Sequence, residues 1–213
     1  MKIAVCLQGL SSGKNHIGHE VKFTNSYKYL KQNILDNNSV DIFLHTWNED
    51  LNTIDEITNI YKPISSIFEK QIIFDENTKL HITKSRWYSH MKSVELKQQY
   101  EKENNIIYDF VVVTRFDNCF FIPFSFSEYD SNCFYSSNWD YPHNLIGFLD
   151  YWFLADSKTM DKFSNLYDKI DDYLTYIELS SHVLSKHHAN KLNLIQKYIF
   201  NEHSDFGLER QLK

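Results

Sequence analysis

The stretch that most constrains this chain runs Tyr108-Asp-Phe-Val-Val-Val-Thr-Arg-Phe-Asp-Asn-Cys-Phe-Phe121. Phe110 to Val113 is an apolar, β-branched run too short for a buried helix, and it predicts a strand covered on both faces. It turns polar at once, at Thr114, Arg115, Asp117 and Asn118. In an open α/β sheet, ligands sit in the crevice beyond the carboxyl ends of the strands. Side chains two apart on an extended segment point the same way, so Arg115 and Asp117 can meet one ligand.

Much of the remaining sequence fits such a sheet. Ile3–Leu7 and Val40–Trp47 predict two further buried strands, each polar at its carboxyl end. After the first comes Gln8-Gly-Leu-Ser-Ser-Gly-Lys-Asn-His-Ile-Gly18, a loop holding three of the chain's five glycines. A loop of this kind can bring backbone N–H groups to a phosphate, which marks Gly9, Ser12, Gly13 and Lys14. It lacks the full Walker pattern, and a plain surface turn is the competing reading. His45 closes the second strand beside this loop.

Helical spacing predicts helices over 21–35, 52–61, 85–104 and 158–173, and a further helical stretch over 178–188. Ser85 and Ser157 stand where helix caps belong. On the third helix, Trp87, Tyr88, Met91, Val94, Leu96 and Tyr100 form the apolar stripe. Lys92, Lys97, Glu101, Lys102 and Glu103 form the wet face, with Arg86 a solvated charge. Glu178 and His182 are four apart and predicted to share a helix face. Ile64–Phe68, Gln71–Phe74, Cys133–Ser136, Gly147–Ala155 and Leu194–Phe200 read as strand-like, followed by a polar tail. Asp150 lies inside an apolar run, where a charge is expensive unless paired or used. The loop Asn138-Trp-Asp-Tyr-Pro-His143 combines flat aromatic rings and polar groups suited to a sugar. The predicted class is therefore α/β: one domain with a mostly parallel mixed sheet flanked by helices.

Composition narrows the partners. A net charge of −6 with no basic stripe argues against nucleic acid. The three widely spaced cysteines form neither a CxxC zinc pattern nor an even disulfide framework, so a reducing cytoplasm is the expected compartment. No apolar run approaches membrane-spanning length, and the opening Met1–Leu7 is too short for a signal peptide.

The order of these pieces resembles the GT-A nucleotide-sugar glycosyltransferases, in which an Asp-x-Asp motif follows a central strand. Here Asp117 falls on the second acid and Arg115 replaces the first. The chain is also similar to small glycosyltransferases of bacterial capsule and lipopolysaccharide loci and of some large viruses. The matching phrases are Ile3-Ala-Val-Cys-Leu-Gln-Gly9, Val40-Asp-Ile-Phe-Leu-His-Thr-Trp47, Ser85-Arg-Trp-Tyr-Ser89, Tyr108–Asp117 and Asp150-Tyr-Trp-Phe-Leu-Ala155.

The resemblance implies a GT-A-like, Rossmann-related domain that takes a nucleotide-diphosphate sugar, a UDP-sugar above others, and a glycan acceptor. It implies nucleotide contacts from Gly9, Ser12, Gly13, Lys14 and His45, with Arg115 and Asp117 at the diphosphate. Two routes to neutralising that diphosphate stay open: Mn²⁺ or Mg²⁺ on Asp117 with His182, or Arg115 itself. Asp150 is the expected base if the reaction inverts and a donor-orienting group if it retains, with Glu178 second. A sugar nucleotidyltransferase and a non-catalytic sugar-binding module are the alternatives.

Overall fold

The computed structural model describes residues 1–211. The first half contains β1 (Ile3–Gly9), β2 (Ser12–Lys14), β3 (Glu20–Lys22), α1 (Phe23–Leu30), β4 (Val40–Trp47), α2 (Leu51–Tyr61), β5 (Ser65–Glu69) and α3 (Thr78–Asn104). The second contains β6 (Phe110–Arg115), β7 (Asn118–Phe120), β8 (Cys133–Asn138), α4 (His143–Ile146), β9 (Leu149–Ala155) and α5 (Ser157–Ser164). It closes with α6 (Ile170–Tyr173), α7 (Ser181–Lys191), β10 (Ile195–Asn201) and β11 (Phe206–Leu208).

Seven strands form one sheet in the order β10-β8-β9-β6-β1-β4-β5, with β6 at its centre. Strands β5, β4, β1 and β6 are parallel neighbours, and β10 lies parallel to β8. Only β9 runs the other way, antiparallel to both β6 and β8. The predicted α/β class with a mostly parallel mixed sheet is the class observed. Alternate residues of β1 feed two cores. Ile3, Val5 and Leu7 meet Leu30, Ile57 and Tyr61, while Ala4 and Cys6 meet Trp87, Val94 and Phe163. Helices therefore cover both faces.

The order β5-β4-β1-β6 reverses direction at β1. The chain winds outward from β1 through β4 to β5, then returns to place β6 on the other side. A topological switch point thus lies between β1 and β6, with Gln8 paired in register with Arg115. Because β9 is antiparallel, its beginning lies at the edge where the parallel strands end. This brings Asp150 to Arg115.

Several local readings need correction. Helix α3 starts a full turn or more before Ser85, because the Asn77 side chain caps it by accepting from the Lys79 and Leu80 amides. Asp156, not Ser157, caps α5. The predicted helix over 158–173 is interrupted after Ser164 and resumes as a 3₁₀ turn and α6. Residues 71–74 form no strand. The polar tail contains β11, paired with β7. Glu178 lies exposed in the segment before α7, which Ser180 caps, so Glu178 and His182 do not share a helix face.

Lys97 and Glu101 are not on a wet face. The Lys97 ammonium, fully buried, contacts Glu101 at 2.7 Å and Asp161 at 2.6 Å, and Ser157 bonds both Lys97 and Glu101. The stripe of Thr83, Trp87, His90 and Val94 continues into Lys97 and Glu101 at the same three- and four-residue steps. Lys97→Ala leaves two carboxylates facing each other in the interior. It is expected to cost about 3–5 kcal/mol and lower the melting temperature by roughly 10 °C in a calorimetric scan. Exposed Lys102→Ala should leave the melting temperature nearly unchanged.

Candidate functional site

The carboxyl edge of the sheet at the switch point gathers two carboxylate–arginine pairs. At the end of β6 the chain turns, with Phe116 buried against Tyr61 and the Asn118 amide bonded to Thr114. This turn leaves Arg115 and Asp117 on the same side, and they reach each other. Arg115 Nε donates to Asp117 Oδ1 at 2.7 Å and Nη2 to Oδ2 at 2.6 Å, a bidentate fork. Burial opposes the guanidinium charge, but the Asp117 carboxylate outweighs it and raises the Arg115 pKa above its ordinary value. Asp117 is almost buried, whereas the Arg115 side chain is 27% exposed and lies 5.4 Å from the Tyr151 ring.

The second pair joins α3 to β9. Arg86 Nε donates to Asp150 Oδ2 at 2.7 Å, and its Nη2 donates to the Asp150 carbonyl. Ser181 Oγ also donates to Oδ2, while the His182 ring nitrogen Nδ1 stands 3.4 Å from Oδ1. Burial would raise the Asp150 pKa. The charges of Arg86 and His182 and the bonds from Ser181 and Arg86 overcome it and hold the carboxyl far below its usual range. Arg86 is therefore a buried partner of Asp150 rather than a solvated charge. With both oxygens approached by donors and its proton affinity so low, Asp150 is poorly suited to act as a base.

His182 is placed with some care. Its Nδ1 bonds the Phe148 carbonyl at 2.7 Å, and the Phe148 amide donates back to the His182 carbonyl at 3.1 Å. A Cβ on Gly147 would come within 3.1 Å of His182 Cβ and 3.2 Å of its carbonyl carbon, so a larger residue would push His182 back by a few tenths of an ångström. With Nδ1 donating to a carbonyl, the ring in its neutral form presents the Nε2 lone pair. The ring is about one-third exposed and packs 4.7 Å from Trp139, which His143 covers on another side.

Other predicted residues are committed elsewhere. Gly9 N–H donates to Ser89 Oγ, which bonds His45 Nδ1 at 2.7 Å, while His45 Nε2 meets Glu69 at 2.6 Å. His45 is thus sealed under the edge and carries structure. The segment read as a phosphate-cradling loop is instead the β2–β3 hairpin, with Gly13 paired to Val21 and Lys14 to Glu20. Asn15 closes its turn by accepting from the Ile17 and His19 amides. Ser12 accepts from Asn48, and Lys14 is exposed. Glu178 has no place among these contacts. Sequence reasoning missed Ser181, His16 and Arg210. His16, near the hairpin tip, feels both Arg115 and Arg210, whose charges add to burial in lowering its pKa.

Mn²⁺ or Mg²⁺ on Asp117 would have to compete with Arg115 for the carboxylate. Both Asp117 oxygens already accept from Arg115, whereas His182, held through Nδ1 by the Phe148 carbonyl, keeps Nε2 available. Among the described residues, no three His, Cys, Asp or Glu side chains gather as metal ligands. Two open clefts, of about 660 and 400 Å³, share Tyr108 at the opposite, amino edge of the sheet. Among the described residues, no helix is long and apolar enough to cross a membrane. No protein-family model matches the chain, and no curated protein matches it.

The buried imidazoles make stability pH-dependent. Burial lowers the pKa of His45, that of His90 well below 6.5, and that of His188 to about 4. The unfolded chain therefore binds protons that the folded chain refuses, and stability falls as pH drops from about 6.5 toward 4. Among the described residues His90 has no hydrogen-bond partner on either ring nitrogen, and it packs against Trp87, Phe153 and Phe163. Urea unfolding of His90→Phe should show a shallower loss of stability over this range than the wild type.

Proposed function

We propose that the protein is a glycosyltransferase that uses a nucleotide-diphosphate sugar, bound at the carboxyl edge between β1 and β6. The observation that carries this reading is Arg115. It stands at the topological switch point, anchored on its Nε–Nη2 side by Asp117, with part of the guanidinium open to solvent. An anchored guanidinium meets a phosphate oxygen at little further ordering cost. The resemblance of the strand-end phrases to nucleotide-sugar enzymes points the same way.

In this reading an acceptor hydroxyl oxygen bonds to the anomeric carbon as the sugar–diphosphate C–O bond breaks. The bonding electron pair leaves with the diphosphate, and stabilising that charge is the main electrostatic task. The acceptor proton goes to His182 Nε2, with Asp150 and the Phe148 carbonyl orienting the ring. Asp150 then positions Arg86 and His182 instead of taking the proton itself. Trp139 and His143 offer a flat aromatic surface beside His182 for the acceptor. A Mn²⁺ or Mg²⁺ cofactor is no part of this scheme.

A second reading, a non-catalytic binding module, draws support from the same pairing, since Asp117 and Asp150 both spend their oxygens on arginines. A nucleotidyltransferase is less well supported, because the glycine segment is a paired hairpin.

The test is a panel of UDP- and GDP-sugars read by thermal shift and by release of nucleoside diphosphate. At a hundredfold excess over Kd, the bound nucleotide sugar should raise the wild-type melting temperature by roughly 5–10 °C. Arg115→Ala should abolish that shift. His182→Gln should keep it while slowing turnover by about 10²–10⁴-fold. Binding without turnover in the wild type would favour the non-catalytic module, and no shift with any donor would remove the proposal.

A further inference from the structure

We infer that the diphosphate at this edge is neutralised by protein cations alone, Arg115 and Arg210. The inference rests on the reading that the edge takes a nucleoside diphosphate.

Two arrangements carry it. The first is the Arg115–Asp117 fork itself. A divalent cation on Asp117 would have to compete with two charge-assisted hydrogen bonds at a nearly buried carboxylate. It would then sit beside the freed guanidinium, cation against cation. Arg115 instead keeps Asp117 and has a nitrogen, Nη1, with no bond among the described residues. A diphosphate oxygen can take that N–H while the fork stays intact.

The second is the wall around Arg115. The C-terminal segment folds back through β11 onto β7, and the Glu209 amide donates to the Asp117 carbonyl at 2.7 Å. Glu209 also accepts from Asn25 at 2.6 Å, which fixes the 3₁₀ turn carrying Arg210. The β2–β3 hairpin brings His16 within electrostatic reach of Arg115 and Arg210. A chain of net charge −6 therefore collects two guanidinium groups at one mouth. Asp117 and Asp150 offset Arg115 from within the protein, and a bound anion adds to that on the open side. A departing nucleoside diphosphate, which gains negative charge as the C–O electron pair transfers to it, is an anion of the required kind.

Calorimetric titration of UDP, GDP and inorganic pyrophosphate should be run in EDTA and again with Mn²⁺. The expected result is binding in EDTA with an affinity within about threefold of that in Mn²⁺. Arg115→Ala and Arg210→Ala should each weaken binding at least tenfold in both buffers. Arg115→Ala unpairs Asp117, so a folded state must be confirmed by its melt; Arg115→Lys, which keeps the charge but loses the fork, provides the parallel test and should also weaken binding. Binding that requires Mn²⁺, or that is unchanged in Arg210→Ala and Arg115→Lys, overturns the inference and leaves the donor reading standing. No binding of any probe in either buffer overturns both.

Discussion

Two parallel hydrogen bonds between Arg115 and Asp117 decide what the carboxyl edge can do. They turn an arginine at a strand end into a fixed, outward-facing cation, and they occupy both oxygens of the acid that the sequence offers as a metal ligand. The arrangement needs the sharp turn after β6, which buries Phe116 and Asn118 while keeping Arg115 and Asp117 on one side. It also needs the switch point, since only there does the winding order leave a crevice beside the central strand.

A second layer supports the first. The Arg86–Asp150 pair ties α3 to β9, and Ser181 and His182 bring the start of α7 to the same carboxylate. Three elements from distant parts of the chain are thereby held around one buried negative charge. Such a pair stabilises little compared with a packed apolar contact of equal size, but losing one partner strands the other. Its value is orientation: it sets where the His182 ring faces and how closely the first turn of α7 approaches Gly147.

The sheet was legible in the sequence because its strands are short apolar runs that turn polar where they end. Phe110–Arg115, Val40–Trp47 and Ile3–Gly9 can be read this way almost residue by residue. The direction of β9 was not legible, and neither was its consequence for Asp150, because strand polarity follows from connections and not from local pattern. The Asp150 partner of Arg86 and the Ser157 and Asp161 partners of Lys97 were hidden for a related reason: each lies sixty or more residues away in sequence. Even so, the three- and four-residue spacing that marks Trp87, His90 and Val94 as inner positions continues to Lys97 and Glu101. The charges drew the reading outward, where the period pointed inward. The glycines at 9, 13 and 18 read as a loop, but Gly9 ends β1 and Gly13 lies within β2, and their positive φ serves the hairpin.

The central claim is that the edge between β1 and β6 receives the diphosphate. The most direct measurement is a crystal structure of the protein soaked with UDP. The account predicts diphosphate density within hydrogen-bonding distance of Arg115 Nη1, with the Arg115–Asp117 fork unbroken. Density in the Tyr108 clefts at the opposite edge, with the Arg115 side left to solvent, would contradict it.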